Sequence, residues 1–312
     1  MEEQERPSKT WDLSIVVPTY RREEVLVETI THLLRLHPAP REILVIDQSE
    51  DHIPSVADAL KAWADSGEIQ CIRLSEPSIT RAMNVGLQAA RAQIVLFVDD
   101  DIVPVPNLVE AHGVSHQVPE AAAVAGRVIQ PWQQGLDFSK GTKFHFASME
   151  TTWPAEFIGC NFSIKRDIAL AVGGFDENFV SVAYNFEAEF AFRLRSNGYR
   201  ILFAPEACIH HRKIESGGTR SFGDHLRTIK PDHSVGAYYC ILRTCGGWRK
   251  IKRLATRTIR TVMTRHHLRR PWWIPLTLIG ELRGLVWALR LSQSGPRYLG
   301  RFTNTTRQAP NT

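Results

Sequence analysis

Cysteine is sparse in this chain and nowhere paired in spacing. Cys71, Cys160, Cys208, Cys240 and Cys245 are an odd number, lie scattered, and form no Cys-x-x-Cys unit. That pattern argues against a zinc site and a disulfide-stapled fold, and it predicts free thiols in a reducing compartment, some of them simply small core residues. Long apolar runs are also missing. Residues 1–9 are polar and acidic, with no apolar segment before the first predicted strand, so no secretory leader is expected. The apolar stretch that follows Pro271 is broken by Glu281, Arg283 and Arg290. Charges near the centre of a spanning helix cost about 2.5 to 3.5 kcal/mol each, which counts against a membrane span. No internal repeat stands out, and no nucleic-acid reader motif accompanies the basic residues.

What is present is a folding composition. The chain has 312 residues, 43% hydrophobic and 23% charged, enough for one large α/β domain or a domain with an appendage. The net charge of +5 raises the question of an anionic partner. Its distribution is uneven: Arg249, Lys250, Lys252, Arg253, Arg257, Arg260, Arg265, Arg269 and Arg270 follow one another with no acid among them.

The most informative stretch is Ile94 to Val103, IVLFVDDDIV. Five apolar residues lead without interruption into Asp99, Asp100 and Asp101, and Pro104 and Pro106 follow. A short all-apolar run bounded by breakers predicts a strand buried on both faces of a parallel sheet. The acids then sit at its C-terminal end, the edge at which open α/β sheets bind ligands. Adjacent carboxylates repel one another and are costly to desolvate, and a hard divalent cation relieves both costs. Mg²⁺ or Mn²⁺ held by one or two carboxylates and substrate phosphates is the corresponding expectation. An acidic solvated turn is the alternative.

The remaining chain supplies a frame for that strand. Strands are predicted at Leu13–Val17, Ile43–Ile46 and Ile69–Leu74, and helices at Arg21–Leu36, Val56–Ala64 and Ser78–Ala92, with Ser78 or Thr80 as N-cap. Such alternation predicts right-handed βαβ units in a parallel sheet. Further strands are expected at Ala121–Ile129, Phe157–Ile164, Tyr199–Phe203 and Ala207–His211. Helices are expected at Arg166–Val172 and Glu187–Asn197, the latter stopped by Gly198. Gln130–Pro154 reads as a long loop able to cover the site, and Ile214–Tyr239 as a loop-rich segment closing over it.

The segments SIVVPTYRR, VIDQSED, SITRAMNVGLQAA, IVLFVDDDI, IGCNFSIKRDIALAVGGFDENF and FEAEFAFRLRSNGYRILFAPEACIHH stand in this order between Ser14 and His211. In that series the chain resembles family 2 glycosyltransferases of the GT-A fold. The resemblance implies a Rossmann-like, mixed but mostly parallel sheet flanked by helices, and transfer of a sugar from a nucleotide-diphosphate donor. It implies that Pro18, Thr19 and Asp47 hold the base and ribose, bordered by Arg81 and Asn84. Asp99, Asp100 and Asp101 would face the donor diphosphate, with Asp101, Asp99 and His211 on a Mn²⁺ or Mg²⁺ ion, and Asn161 would line the donor sugar. Glu187 falls on the general-base position, where the family usually carries Asp after another acid; here Phe186 precedes it. A positioned Glu can accept a hydroxyl proton. Its extra methylene shifts the oxygen, and a misplacement of 1 Å can cost about 100-fold in rate.

Local readings compete at several of these positions. Asp47 is either a ligand residue or a loop-capping Asp. His210 and His211 lie on opposite faces of one strand, so one histidine is expected in the site. Glu189 reads as a charge on the helix N-terminus. Residues 1–12 are expected as a tail, 13–240 as the catalytic domain and 241–312 as a basic amphipathic α-helical extension. Trp272 and Trp273 at headgroup depth, with cations worth about 1 kcal/mol each over anionic lipid, would place that extension on the inner face of the cell membrane in a cytoplasmic protein. A soluble amphipathic helix packed on the domain or a dimer partner is the alternative, and nucleic acid is not an expected partner. The acceptor would be a polysaccharide, a lipid-linked glycan or something similar. A nucleotide-sugar-binding scaffold with weak catalysis, or a basic binding protein, are the other functional readings.

Overall fold

Every residue of Leu13–Val17 is buried, and the apolar ones serve two different cores. Leu13, Ile15 and Val17 face one apolar cluster and Val16 the other. Alternation of side chains across a strand therefore accounts for the uninterrupted apolar run: this sheet has helices on both faces. The computed structural model describes residues 10–136, 138, 144–214 and 216–300.

The first half alternates β1 (Trp11–Thr19), α1 (Glu24–Leu34), β2 (Pro40–Asp47), α2 (Pro54–Asp65), β3 (Gln70–Arg73), α3 (Ile79–Ala89) and β4 (Ile94–Val98). β1 pairs in parallel with β2 and β4, and β2 with β3, as the alternation predicts. Ser78 caps α3 by accepting from the Arg81 amide, while the Thr80 hydroxyl turns to the Phe179 carbonyl.

The second half adds β5 (Ile102–Pro104), α4 (Leu108–Ser115), β6 (Ala121–Ile129), β7 (Asn161–Lys165), α5 (Arg166–Ala171), α6 (Phe186–Ser196) and β8 (Arg200–His211). The strand order is β3-β2-β1-β4-β7-β6-β8-β5. Only Asp99–Asp101 link β4 to β5, strands four places apart in the sheet, so this half curls back on itself. β7 runs antiparallel to β4 and β6, which makes the sheet mixed.

Three predicted elements change. The strand expected at Phe157–Ile164 starts only at Asn161; Phe157 is apolar because its ring stacks on Phe162, 4.0 Å between centroids. The two strands expected between Tyr199 and His211 are one, β8, with a register irregularity against β6 absorbing Pro205. α4 carries no predicted counterpart; its buried His112 joins Ser163 and Asn161 behind the sheet.

The C-terminal part is helical: α7 (Val235–Thr244), α8 (Gly247–Val262), α9 (Arg265–Arg269) and α10 (Ile274–Ser294). Val235–Tyr239, expected within a loop, forms the buried start of α7. α10 lies against α7, and a Cβ on Gly284 would come within 2.0 Å of the Ser234 hydroxyl. The chain then returns to the sheet domain, where Leu299 donates to the Gly173 carbonyl and Arg297 to Asp176. The expected boundary at residue 240 falls in the middle of α7, and the expected tail ends early, since Trp11 and Asp12 already belong to β1. Among the described residues no helix is long and apolar enough to cross a membrane.

Candidate active site

Four chain segments converge on one cleft of about 460 Å³: the end of β1 with Pro18 and Thr19, the acids after β4, His211 at the end of β8, and Glu187 in the first turn of α6. Pairing register explains the histidine. Ile102 stands opposite His211 in the β5–β8 ladder, which sets the imidazole beside Asp101. α1 fixes the turn from behind, since the buried Thr29 hydroxyl accepts from the Ile102 amide and meets the Asp100 and Ile102 carbonyls.

The three acids point in different directions. Asp100 faces inward, where its carboxylate accepts from the Thr19 hydroxyl at 2.7 Å and from Arg22 Nε at 3.2 Å. Burial outweighs both partners and pushes it up to about 7. Asp101 is almost wholly enclosed, with Oδ1 3.1 Å from His211 Nε2 and Oδ2 accepting from the Ile214 amide at 2.9 Å and Arg22 Nη2 at 3.4 Å. Burial acts to raise it, but His211 and these donors hold it below its ordinary value. Asp99 lies nearer the cleft mouth, 3.8 Å from the same imidazole nitrogen, and burial pushes it up to about 6. Burial opposes protonation of His211, yet its two acidic neighbours hold it above its ordinary value.

Asp99, Asp101 and His211 each offer one ligand atom, all within 4.8 Å of one another. Two hard oxygens and an imidazole nitrogen suit Mn²⁺ or Mg²⁺. The Gln130 amide oxygen lies 3.2 Å from His211 Nδ1. An Nδ1–H donated there orients the ring and leaves Nε2 toward the acids.

Glu187 is brought in on the other side. Gly159 makes room for it, because a Cβ there would stand 3.2 Å from Glu187 Cγ. Burial pushes its carboxyl up to about 7, against backbone N–H donors that favour the charged form. Phe186, in place of an acid, belongs to an aromatic core with Phe175, 6.0 Å between centroids. An acid there would face the Phe175 ring. Glu189 stands in the first turn of α6, as expected of a charge on the helix N-terminus, and is buried and paired bidentately with Arg193.

Four expected donor residues lie outside the cleft lining. Asp47 is buried, accepts from the Ser49 amide in an Asx turn, and faces His52 Nε2 at 3.2 Å. Arg81 is half-buried at the helix start and 3.5 Å from Glu76. Asn84 donates to the Phe175 carbonyl and Glu177 and accepts from the Phe175 amide. Asn161 donates to the Arg127 and Ala207 carbonyls, beside the register irregularity of β6 and β8, and meets His112.

The cleft also holds residues that no sequence pattern marked. Arg22 is buried and is the cation facing Asp100 and Asp101; it also donates to the Ser216 carbonyl. Gln48 spans the Thr19 carbonyl and the Ser78 amide. The signal for Arg22 was a basic residue just past a strand end, which alone has no direction. Ile214, Gly218, Thr219, Arg220 and Phe222 line the cleft as the closing segment was expected to do, whereas no described residue of Gln130–Pro154 does.

Comparison with known proteins bears on the family and the fold. The family described as Glycosyl transferase family 2 matches residues 14–175. A glucosyl-dolichyl phosphate glucuronosyltransferase of Haloferax volcanii is 26% identical over 230 residues, 65% of this chain and 70% of that one. A validoxylamine A glucosyltransferase of Streptomyces hygroscopicus subsp. limoneus is 23% identical over 62% of this chain, which spans half the length of that relative. In fold, the chain resembles the mannosyltransferase PcManGT from Pyrobaculum calidifontis in complex with GDP-Man and Mn²⁺, at a TM-score of 0.53 and 16% identity over 92% of this chain and 80% of that one. S. aureus TarS in complex with UDP-GlcNAc superposes at a TM-score of 0.58 and 14% identity over 92% and 93%.

Proposed function

The chain belongs to glycosyl transferase family 2 and is a nucleotide-sugar-dependent glycosyltransferase of the GT-A fold, and from that premise we propose an inverting, divalent-metal-dependent transfer with Glu187 as base. The observation that carries this reading is the meeting of Asp99, Asp101 and His211 with Glu187 around one cleft. Pro18 and Thr19 would border the nucleotide, and Asp99, Asp101 and His211 would hold Mn²⁺ or Mg²⁺ next to its diphosphate. A divalent cation bound there supplies Lewis-acid charge to the departing phosphate oxygens. Glu187 takes the proton of the acceptor hydroxyl as that oxygen bonds to the anomeric carbon, and the bond to the nucleoside diphosphate breaks on the opposite face. One displacement inverts the anomeric centre. A carboxyl raised to about 7 is a stronger base than a free one and still loses its proton near neutral pH.

Asp47, Arg81, Asn84 and Asn161 act in this reading as positioning residues, since each is engaged with other parts of the protein. The acceptor is a polysaccharide, a lipid-linked glycan or a similar glycan. The helices after residue 246 rest on an anionic membrane surface at the cytoplasmic face, a placement supported by the exposed Trp248, Ile251, Ile259 and Trp272 among the cations.

Calorimetric titration of a panel of nucleoside diphosphates, with and without Mn²⁺, into the wild type and Asp101→Asn tests the donor site. Metal-dependent binding of one nucleotide, lost in the variant, is the expected result. Tight binding that persists in Asp101→Asn removes this acid from the site.

A further inference from the structure

The cations of α8 take no part in the cleft, yet they border it. At 3.6 residues per turn the helix presents three stripes. Leu254 packs toward the main core and Thr258 shares a hydrogen bond with Tyr238. On a second stripe Arg249, Lys252, Arg253, Arg257 and Arg260 form, with Ala237 and Ile241 of α7, the wall of a groove of about 750 Å³. The third stripe is apolar and exposed: Trp248 at 74%, Ile251 at 56% and Ile259 at 54%.

Groove and cleft meet at Asn185, which lines both and lies two residues before Glu187. Asn185 is held in the left-handed region at φ 69°, as are Ser181 and Ala183 nearby. Strained backbone of this kind persists where the surroundings fix it, and it recurs at ligand sites. Here α7 fixes it: a Cβ on Gly236 would meet the Tyr184 backbone at 2.6 Å. A fixed spacing between Glu187 and the groove is thus built into the fold.

Among the described residues only Arg257 of the five cations has a carboxylate within an ion-pair distance, Glu281 at 3.5 Å. Four neighbouring cations without counter-charges repel one another and gain from a dianion, and guanidinium forks match phosphate oxygens two at a time. A neutral glycan offers such a wall hydrogen-bond acceptors but no countercharge. The apolar stripe beside it suits hydrocarbon and not a soluble polymer.

We propose that the groove binds the phosphate or diphosphate of a lipid-borne acceptor, whose hydroxyl reaches Glu187 past Asn185 while its hydrocarbon lies along Trp248, Ile251 and Ile259. This assignment rests on the transferase reading above and narrows its acceptor to a phosphate-linked lipid.

The test is metal-free calorimetry on the full chain with hexyl phosphate and glycerol phosphate, using the wild type, Asp101→Asn, and Arg249→Glu/Arg253→Glu. Hexyl phosphate is expected to bind the wild type and Asp101→Asn alike and at least tenfold more weakly to the double variant, with glycerol phosphate weaker than hexyl phosphate throughout. Mn²⁺-dependent nucleotide binding, measured alongside, shows that the double variant is folded; if it fails there, Arg249→Gln/Arg253→Gln replaces it. Equal hexyl phosphate binding by wild type and double variant overturns the proposal. So does glycerol phosphate binding as tightly as hexyl phosphate, which makes the ligand a soluble phosphate. Wild type that ignores hexyl phosphate but binds phosphatidylglycerol vesicles through these arginines makes α8 a membrane contact only and also overturns it. Phosphate binding by a wild type that takes no nucleotide defeats the transferase reading itself, and the acceptor role with it.

Discussion

Two runs of like charge, Asp99–Asp101 and the α8 cations, are treated oppositely by the fold. Asp100 and Asp101 are enclosed, with Asp99 nearer the cleft mouth, and partners come to the two buried acids from residues far away in sequence: Thr19, Arg22, His211 and the Ile214 amide. The cations stand at the surface, mostly without an acid among the described residues. Burial is the difference, since a desolvated charge costs several kcal/mol unless it is paired, whereas water pairs an exposed one. An enclosed run is therefore organised before its ligand arrives, and an exposed run is organised by its ligand. Breaking either one should show this difference in what is lost.

The largest effect belongs to the chemistry. Glu187→Gln keeps size and hydrogen-bonding capacity but cannot accept the proton, and transfer should fall about 10²- to 10⁴-fold while donor binding measured by calorimetry stays within about twofold. Wild-type transfer should also depend on pH in one direction. A base must be deprotonated, so with its carboxyl at about 7 the rate climbs about tenfold per unit below pH 7 and levels above it. A flat profile, or the same limb in Glu187→Gln, would move the base elsewhere. Metal affinity should likewise weaken as pH falls, since Asp99 at about 6 and a His211 raised above its ordinary value must both lose protons to bind.

Breaking the pairing itself comes next. Arg22→Met takes from Asp100 its guanidinium partner and leaves Asp101 with His211 alone, and removal of one partner from a buried pair costs about 3–5 kcal/mol. Mn²⁺ should then raise the melting temperature of this variant more than that of the wild type, because the ion substitutes for the lost charge. An equal shift in both proteins would mean that Arg22 and the ion do not share the acids. On α8 the contrast is sharp: Lys250→Ala should leave stability within about 0.5 kcal/mol by denaturant unfolding.

What was legible in the sequence follows the same division. Ile94–Val98 and Leu13–Val17 declared themselves because burial on both faces demands unbroken apolar runs, and the acids after β4 because their chemistry is local. Alternation along β8 separated His210 from His211 before any register was known. Arg22, Thr29 and Gln130 were not legible, because each matters through a partner 71 to 81 positions away that the curled sheet brings near. Phe157 misled for a related reason. Its hydrophobicity records a ring stacked on Phe162, and a strand pattern cannot be told from a buried loop by polarity alone.

Asn161 and Arg81 separate the two kinds of residue that the family pattern places together. Asn161→Leu removes the donor for two buried carbonyls and a partner of His112. Each unsatisfied group costs about 1–3 kcal/mol, so a clear fall in unfolding midpoint is expected, with transfer per folded molecule nearly intact. A loss of donor binding in a variant of unchanged stability would instead put the amide on the sugar.

The smallest effect is expected at Arg81. Its side chain is 43% exposed, its partner Glu76 is 81% exposed at 3.5 Å, and surface pairs of that kind contribute about 0–1 kcal/mol. Its backbone amide, not its guanidinium, does the structural task by donating to the Ser78 cap, and Ala keeps that amide. Arg81→Ala should therefore leave unfolding unchanged and weaken nucleotide binding by less than about threefold, the size of one screened charge near the cleft mouth. A tenfold or greater loss, with the melting temperature unmoved, would show that the side chain swings onto the donor when it binds, and would return Arg81 to the group of residues that touch it.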